Sequence, residues 1–217
     1  MSEKAEYLTT VSADESYDRL PDEETVRETV ENLESRGFDV VVVDTAEEAL
    51  DAVVSEIPDD VSVMNGHSTT LEEIGFVEYL DDGDHDWENL AGQVWEIDDD
   101  DERQQFRREA QTADYFLGSV NAIAETGELV AADASGSRVG AYPFAAGNLV
   151  LVSGVNKIVA DLDAAFERLD EFAYPLEDAR AQDAYGVGSA VAKQFVYRRE
   201  NEAGRTTLVL VRDNLGY

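Results

Sequence analysis

Short apolar runs alternate with segments of helical periodicity along this chain after its first twenty residues. The first helical segment spans residues 22–36, with Val26, Val30 and Leu33 at helical spacing, and the apolar run 38–43 follows it. Such a run is typical of a strand buried on both faces. The alternation predicts an α/β fold, with a Rossmann-like, mostly parallel sheet and helices on both faces.

The same patterns predict the remaining elements. Helices are expected between the cap residue Thr45 and Pro58, from residues 68–70 onward, and over residues 100–112 and 161–172. Strands are expected over residues 61–64, 114–120 and 149–153. Two strand pairs are expected, 128–132 with 138–142 across a turn at 133–137, and 194–198 with 206–211 across 201–204. Residues 81–101 show no sustained period, residues 1–20 are expected to be a flexible arm, and residues 21–217 a single domain.

The charge of the chain is strongly one-sided, because 49 Asp and Glu face 16 Lys and Arg, which gives a net charge of −33 at pH 7. Such a chain repels phosphates, so nucleic-acid binding through a basic face is excluded. Only Lys4, Lys157 and Lys193 are lysines. We therefore expect a protein from a halophilic source, where a Debye length of about 3 Å at molar salt screens the carboxylates from each other.

The chain has no cysteine, which excludes disulfides, thiolate nucleophiles and cysteine-ligated metals. No metal or resident cofactor is predicted, since His67 and His85 are the only histidines and the acidic run at 98–101 is typical of a solvated surface. No signal peptide is visible, and the apolar runs are far shorter than the ~20 residues that span a bilayer. The prediction is a soluble, cytoplasmic protein with no membrane insertion.

Polar residues follow three of the predicted strands, where ligands bind in open α/β sheets. After the strand at 61–64 come Gly66, Ser68, Thr69 and Thr70. Close backbone approach at the glycine and the hydroxyl donors suit a phosphate or a carboxylate. Helix capping explains the same residues without any ligand.

The second strand end carries Asn121, whose amide would contact a ligand or tie down a turn. Glu125 follows in a glycine-bounded turn and is a candidate general base or acyl-accepting carboxylate. In a chain with 49 acidic residues, an ordinary surface carboxylate is the alternative interpretation.

The third strand end carries Gly154, Asn156 and Lys157. A lysine kept directly after a buried strand is informative in a chain that has almost no lysine. We expect Lys157 to neutralise an anion, together with Arg138 from the predicted hairpin. An ion pair with one of the many carboxylates is the alternative.

Taken together, these segments resemble the LUD domain family, the lactate-utilization protein C (LutC/YkgG) group. The resemblance runs from about Thr25 to Tyr217. It is carried, in order, by NGHSTTLEEIG at 65–75, ADYFL at 113–117, NAI at 121–123, GELV at 127–130, GSRV at 136–139, GVNKIV at 154–159 and LVRDNLGY at 210–217.

The resemblance implies a fold similar to the NagB/RpiA/CoA-transferase group, with a β-hairpin added to the sheet. It also implies a link to the oxidation of L-lactate to pyruvate beside iron–sulfur partner subunits. This chain departs from many relatives, which carry a cysteine-rich stretch before the last two strands. Its own residues 178–193 contain no cysteine, so a metal or cluster role is not transferred.

Three functions follow from these observations. The leading hypothesis is an accessory protein of lactate utilization that binds a small anionic or acyl-CoA-like ligand at the strand ends. The alternative is a CoA/acyl-transferase-like or sugar-phosphate isomerase-like enzyme that uses Glu125 or Glu128. A third hypothesis is that an apolar surface near Trp87 and Trp95 docks a partner subunit.

Overall fold

The computed structural model describes residues 3–217, and its central layer is a parallel sheet. In spatial order the six strands are β1 (Asp39–Val43), β10 (Thr206–Val211), β7 (Asn148–Gly154), β4 (Tyr115–Gly118), β2 (Ser62–Asn65) and β3 (Glu88–Asn89). A smaller mixed sheet has the order β8 (Ile158–Val159), β5 (Ala122–Ala124), β6 (Leu129–Asp133) and β9 (Lys193–Tyr197). The predicted Rossmann-like α/β fold with a hairpin extension is confirmed.

Helices fill the connections between the strands. They are α1 (Glu3–Tyr7), α2 (Glu23–Ser35), α3 (Ala46–Glu56), α4 (Thr69–Glu73), α5 (Phe76–Asp82), α6 (Leu90–Glu96), α7 (Asp100–Glu109), α8 (Leu162–Arg168) and α9 (Tyr174–Tyr185). A π-helical turn, Leu169–Ala173, joins the last two. None of the helices within residues 3–217 is long and apolar enough to cross a membrane.

Side chains cap the first turn of several of these helices, and one of them is Thr45, the cap that the sequence predicts. The hydroxyl of Thr45 accepts a hydrogen bond from the backbone N–H of Glu48 (3.2 Å), and that of Ser68 from Leu71 (3.3 Å). The carboxylate of Asp22 accepts from the N–H of Thr25 (2.9 Å). Each cap satisfies an N–H that the first turn of a helix leaves unpaired.

Strand β10 lies inside the parallel sheet and connects the two main parts of the core. Leu208 and Leu210 belong to an apolar cluster on one face, which also includes Val26 and Leu33 of α2 and residues of the smaller sheet. Val209 and Val211 pack on the other face against α3 and α5. A third apolar cluster joins α8 and α9 to β5 and β6.

The prediction that the last two strands pair with each other is wrong. Strand β9 pairs with β6 in the smaller sheet, whereas β10 pairs in parallel with β1 and β7. All six side chains of β10 are buried, while β9 is exposed at Lys193 and Gln194. Burial on both faces requires a central position in a parallel sheet, which a hairpin with β9 would not provide.

Residues 138–142 do not form the predicted second strand of a hairpin. The carboxylate of Asp133 accepts hydrogen bonds from the backbone N–H groups of Ser135 (3.0 Å) and Arg138 (2.8 Å) and closes a tight loop there. A π-helical turn, Ala141–Ala145, follows. The antiparallel partners of β6 are instead β5 and β9.

Strand β1 is not buried on both faces as predicted. It lies at the edge of the parallel sheet, and Val41 is 38% exposed. The acidic stretch 81–101, for which no period is visible, contains β3 and α6. Its final acidic run begins α7, where the carboxylate of Asp99 accepts from the N–H groups of Asp101 and Glu102. Acidic residues in a first helical turn complement the helix dipole.

The N-terminal segment, expected as a flexible arm over residues 1–20, is described from residue 3 onward, and residues 1 and 2 lie outside the described residues. Its Lys4 is 5% exposed, and Lys4 Nζ donates to Asp18 Oδ1 (3.1 Å) and to the carbonyl of Gly216 (2.9 Å). Asp18 Oδ1 also accepts from Asn156 Nδ2 (3.1 Å). These contacts hold the segment against the C-terminus and the end of β7.

Candidate functional site

A cavity of about 240 Å³ opens at the carboxyl ends of the central strands. Its wall contains residues that follow β2, β4 and β7, as expected for an open α/β sheet. The loop after β6, helix α9 and the C-terminus complete it. Of the residues singled out from the sequence, the structure brings together Ser68, Thr69, Thr70, Asn121, Arg138 and Lys157.

Lys157 is the most buried cation in the cavity wall, with 1% of its surface exposed. Its Nζ donates to Thr70 Oγ1 (2.9 Å), Ser119 Oγ (3.1 Å) and the carbonyl oxygen of Val120 (3.2 Å). Lys157 makes no ion pair with any described carboxylate. The alternative interpretation of Lys157 as an ion-pair partner is therefore not what the structure shows.

Burial lowers the pKa of Lys157 well below its ordinary value, because a charged amine loses its hydration there. The positive charges of Arg168, Lys4 and Arg138 lower the pKa further, and Glu73 raises it. The neutral amine is thus stabilised relative to the ammonium form.

Arg138 lies on the cavity wall beside Lys157 and belongs to the loop that Asp133 closes. Its Nη2 donates to the carbonyl oxygen of Ala132 (2.5 Å), which orients the guanidinium group. Among the described side chains, no carboxylate forms an ion pair with Arg138. The other guanidinium N–H groups of Arg138 make no hydrogen bond to residues 3–217, which leaves donors for a ligand.

Sequence reasoning missed Ser119, which lines the cavity directly after β4. The backbone carbonyl of Ser119 accepts a hydrogen bond from the hydroxyl of the buried Tyr142 (2.9 Å). Burial raises the pKa of Tyr142 to about 12, so this phenol remains a donor. A Cβ at Gly118 would lie 2.0 Å from the Tyr142 hydroxyl oxygen, so only glycine permits the contact. The GS pair at a strand end is the sequence signal that points to this position.

Helix α9 and the C-terminus supply a second missed group on the opposite wall. Arg180 donates to both carboxylate oxygens of Glu177 (2.8 and 2.9 Å), and Glu177 also accepts from the hydroxyl of Tyr217 (3.1 Å). Burial alone would raise the pKa of Glu177, but the hydrogen bonds and charge of Arg180 lower it overall. The final tyrosine of the LVRDNLGY ending is the one sequence signal for this group.

Three further predicted ligand residues lie behind the cavity wall rather than in it. Gly66 packs under the aliphatic part of the Arg138 side chain. Asn156 is fully buried, and its Oδ1 accepts from the backbone N–H of Leu215 (3.2 Å). A Cβ at Gly154 would lie 2.3 Å from that same oxygen. The structure therefore places these residues in support of the site and not in contact with its space.

The two candidate catalytic carboxylates lie outside the cavity lining, at the turn between β5 and β6. Glu128 Oε1 forms an ion pair with Arg36 (3.0 Å), and its Oε2 accepts from the Thr126 hydroxyl (2.5 Å). Glu125 is partly exposed, and its backbone carbonyl accepts from the amide of Asn32 (2.7 Å). Neither carboxylate faces the groups that follow β2, β4 and β7.

The two tryptophans do not form one surface. Trp87 is 8% exposed and stacks on His85, with ring centroids 4.5 Å apart. Trp95 on α6 is 78% exposed.

His67 lies at the cavity rim 3.3 Å from Glu72. Within residues 3–217, no group of three or more histidine, aspartate or glutamate side chains has an arrangement that could hold a metal ion.

A family model for the LUD domain matches residues 26–187, about three quarters of the chain. The chain belongs to the LUD domain family. This LUD domain protein also resembles a crystal structure described as a DUF162 family protein from Deinococcus radiodurans, with 12% sequence identity and a TM-score of 0.54. The match covers 89% of this chain and 99% of the other, and at this identity it supports the fold alone. A comparison of the LUD domain protein with curated proteins gave no match.

Proposed function

We propose that this LUD domain protein binds a small carboxylate anion, of the lactate or pyruvate class, in the cavity at the strand ends. The acyl end of an acyl-CoA-like thioester is the second ligand that the same groups suit. The LUD domain family is associated with lactate utilization, and we propose an accessory role in that system. The observation that carries the proposal is Arg138, a permanent cation in the cavity wall with no described ion-pair partner.

The balance of charge in the cavity supports an anionic ligand. Two carboxylates, those of Asp133 and Glu177, lie in the wall, and both are already hydrogen-bonded, to loop N–H groups and to Arg180 respectively. Arg138 forms no ion pair with a described carboxylate, and its charge acts through space on Asp133, in a chain whose net charge is −33. A free guanidinium group binds a carboxylate through two parallel hydrogen bonds, which gives both affinity and orientation.

The size and polarity of the cavity favour a small ligand. Its volume of about 240 Å³ lies below the roughly 300–1,000 Å³ of pockets that hold drug-sized molecules. A three-carbon acid fits that volume, whereas the nucleotide of coenzyme A would extend outside. The hydroxyls of Ser68, Thr69 and Thr70 supply donors and acceptors for the hydroxyl or keto oxygen of such an acid.

We further propose that the protein acts in the cytoplasm beside iron–sulfur partner subunits of a lactate-oxidising complex. The support is the family and the absence of cysteine in this chain, since a subunit without thiolates depends on partners for cluster chemistry. The rival enzyme functions through Glu125 or Glu128 gain no support, because both carboxylates lie outside the cavity lining.

Calorimetric titration of the full chain in molar KCl with L-lactate, pyruvate, coenzyme A and acetyl-CoA tests the binding. We expect one of the two acids to bind, and Arg138→Gln to weaken its affinity at least about tenfold, the effect of losing roughly 1.4 kcal/mol. Arg198→Gln, at an exposed position remote from the cavity, is the matched control and should bind like the parent. No binding of any of the four compounds, or equal affinity in Arg138→Gln, would overturn the proposal.

A further inference from the structure

Ser119 and Lys157 form a hydrogen-bonded pair in the cavity wall, with Ser119 Oγ 3.1 Å from Lys157 Nζ. Ser119 directly follows β4, and Lys157 lies in the 3-10 turn, Val155–Lys157, that follows the neighbouring strand β7. We propose that they are a nucleophile and general base for acyl transfer from a thioester of a small carboxylic acid. The proposal rests on the proposed function in one respect, since the acyl group would occupy the same cavity as the carboxylate.

The amine of Lys157 has three hydrogen-bond partners. The carbonyl oxygen of Val120 only accepts, so it takes one N–H of the amine. The remaining contacts are two hydroxyls, Thr70 Oγ1 and Ser119 Oγ, which both donate and accept. A neutral amine has two N–H donors and one lone pair. The three N–H groups of the ammonium form donate to all three partners, whereas in the neutral form the lone pair accepts the proton of one hydroxyl, which is the geometry that general-base catalysis requires.

Ser119 and Thr70 both line the cavity and are 2% and 1% exposed, and local packing favours Ser119 as the nucleophile. Gly216 packs directly on the threonine hydroxyl, because a Cβ at Gly216 would lie 2.2 Å from Thr70 Oγ1. Thr70 is also a secondary alcohol with a methyl group on the same carbon. Ser119 is a primary alcohol, and its backbone is held by the Tyr142 hydroxyl at 2.9 Å.

The charges that face Lys157 favour the neutral amine. Arg168, Lys4 and Arg138 contribute positive charge from α8, the N-terminal segment and the loop after β6, against one acidic group, Glu73. Glu73 itself accepts from the N–H of Gly216 (2.6 Å). Burial acts in the same direction as the three cations, and the pKa of Lys157 is lowered accordingly. A lysine with a lowered pKa is neutral, and able to take a proton, over a wider range of pH than an ordinary lysine.

The reaction balances without any oxidant, reductant or metal. Ser119 Oγ attacks the thioester carbonyl carbon, and the hydroxyl proton passes to Lys157 Nζ. The carbon–sulfur bond then breaks, and the leaving thiolate takes that proton from Lys157 to leave as the thiol. Water, deprotonated by the same amine, attacks the acyl-serine ester and releases the free acid while Ser119 regains its proton.

Acetyl-CoA is the probe for the test, applied to the full chain in molar KCl. Intact mass and peptide mapping locate the acetyl group, and a thiol reagent measures the release of coenzyme A. We expect acetylation at Ser119 or release of coenzyme A, abolished in Ser119→Ala and slowed about a hundredfold or more in Lys157→Met. Ser55→Ala on α3, an exposed and remote serine, is the matched control and should react like the parent.

The pH profile gives a readout that a purely structural lysine would not affect. The parent's acylation rate should rise with pH through an apparent pKa well below 10.5 and then level off. Any one of three results would overturn the inference. They are an acylation rate that Lys157→Met leaves unchanged, acetylation at a residue other than Ser119, and the absence of both an acetyl adduct and released coenzyme A. Binding of L-lactate or pyruvate that survives in Ser119→Ala without any acylation would retain the proposed function and remove only this one.

Discussion

Gly66 provides the space that the side chain of Arg138 occupies, because a Cβ at Gly66 would lie 2.7 Å from Arg138 Cγ. Real Cβ atoms do not approach other carbons so closely, so any larger residue there must displace the arginine. The residue that the sequence suggests as a ligand contact instead positions Arg138, the cation that we propose as the ligand contact.

Gly66→Ala should therefore weaken carboxylate binding without unfolding the protein. A shift of the guanidinium group by about 1 Å misaligns the two hydrogen bonds that we propose it makes to the carboxylate ligand. We expect a loss of about 1–2 kcal/mol of binding free energy, or roughly tenfold in affinity. Calorimetry with the acid that the parent binds measures the effect. Gly204→Ala is not a suitable control because of its positive φ. Ser55→Ala serves instead. Unchanged affinity in Gly66→Ala would show that Arg138 does not contact the ligand.

Because the pKa of Lys157 is lowered in the folded protein, we expect the free energy of unfolding to depend on pH. Its folded pKa is lowered below the unfolded value of 10.5, so between the two values the unfolded chain binds more protons than the folded one. The contribution of Lys157 to the free energy of unfolding therefore rises with pH in that window and is lost as the pH falls through the folded pKa. Denaturant unfolding at pH 7 and pH 9 should show the parent gaining stability relative to Lys157→Met. In Ser55→Ala, an exposed change that involves no titratable group, the difference from the parent should stay constant.

Because the pKa of Glu200 is lowered in the folded protein, we expect the free energy of unfolding to decrease in acid. Burial alone would raise the pKa of Glu200, but hydrogen bonds from Tyr197, Thr206 and Arg205 lower it to about 2. Its carboxylate is 3.0 Å from Arg205, and both side chains are buried. The stability that Glu200 contributes is present above its unfolded pKa of 4.5 and disappears as the pH falls towards 2.

Glu200→Gln should cost about 3 kcal/mol at pH 7, since it leaves the Arg205 charge buried without its partner. The same variant should lose less stability than the parent between pH 5 and pH 3, in urea unfolding. Glu28→Gln, which removes one partner of an exposed ion pair at 3.9 Å, should change the free energy of unfolding by less than about 1 kcal/mol. Parallel acid profiles for Glu200→Gln and the parent would contradict the assignment.

The net charge of −33 predicts that stability depends on salt. Repulsion among exposed carboxylates falls as the Debye length shortens from about 10 Å at 0.1 M to about 3 Å at 1 M. We expect the melting temperature to rise steadily with KCl into the molar range. Equal melting temperatures in dilute buffer and in molar KCl would be evidence against adaptation to salt.

Local chemistry accounts for the parts of the fold that the sequence predicts well. Asp22, Thr45 and Ser68 each cap a helix within three residues, and the apolar periodicity of α2 continues over one segment. These interactions need no distant partner. Strand pairing does need one, and there the prediction fails: β9 and β10 are close in sequence but belong to different sheets.

The candidate site likewise has features that follow from the local sequence and features that depend on tertiary contacts. The sequence by itself determined the fold class, the family resemblance and the strand ends where Thr70 and Lys157 lie, because helix periods, caps and motifs are local properties of the chain. Only the tertiary structure decided that Lys157 meets Ser119, that Arg138 stays unpaired, and that Glu125 lies elsewhere. The physical reason is that burial, ion pairing and pKa depend on groups that come together from distant parts of the chain. With 49 Asp and Glu residues in the chain, the sequence does not specify which carboxylate pairs with which cation.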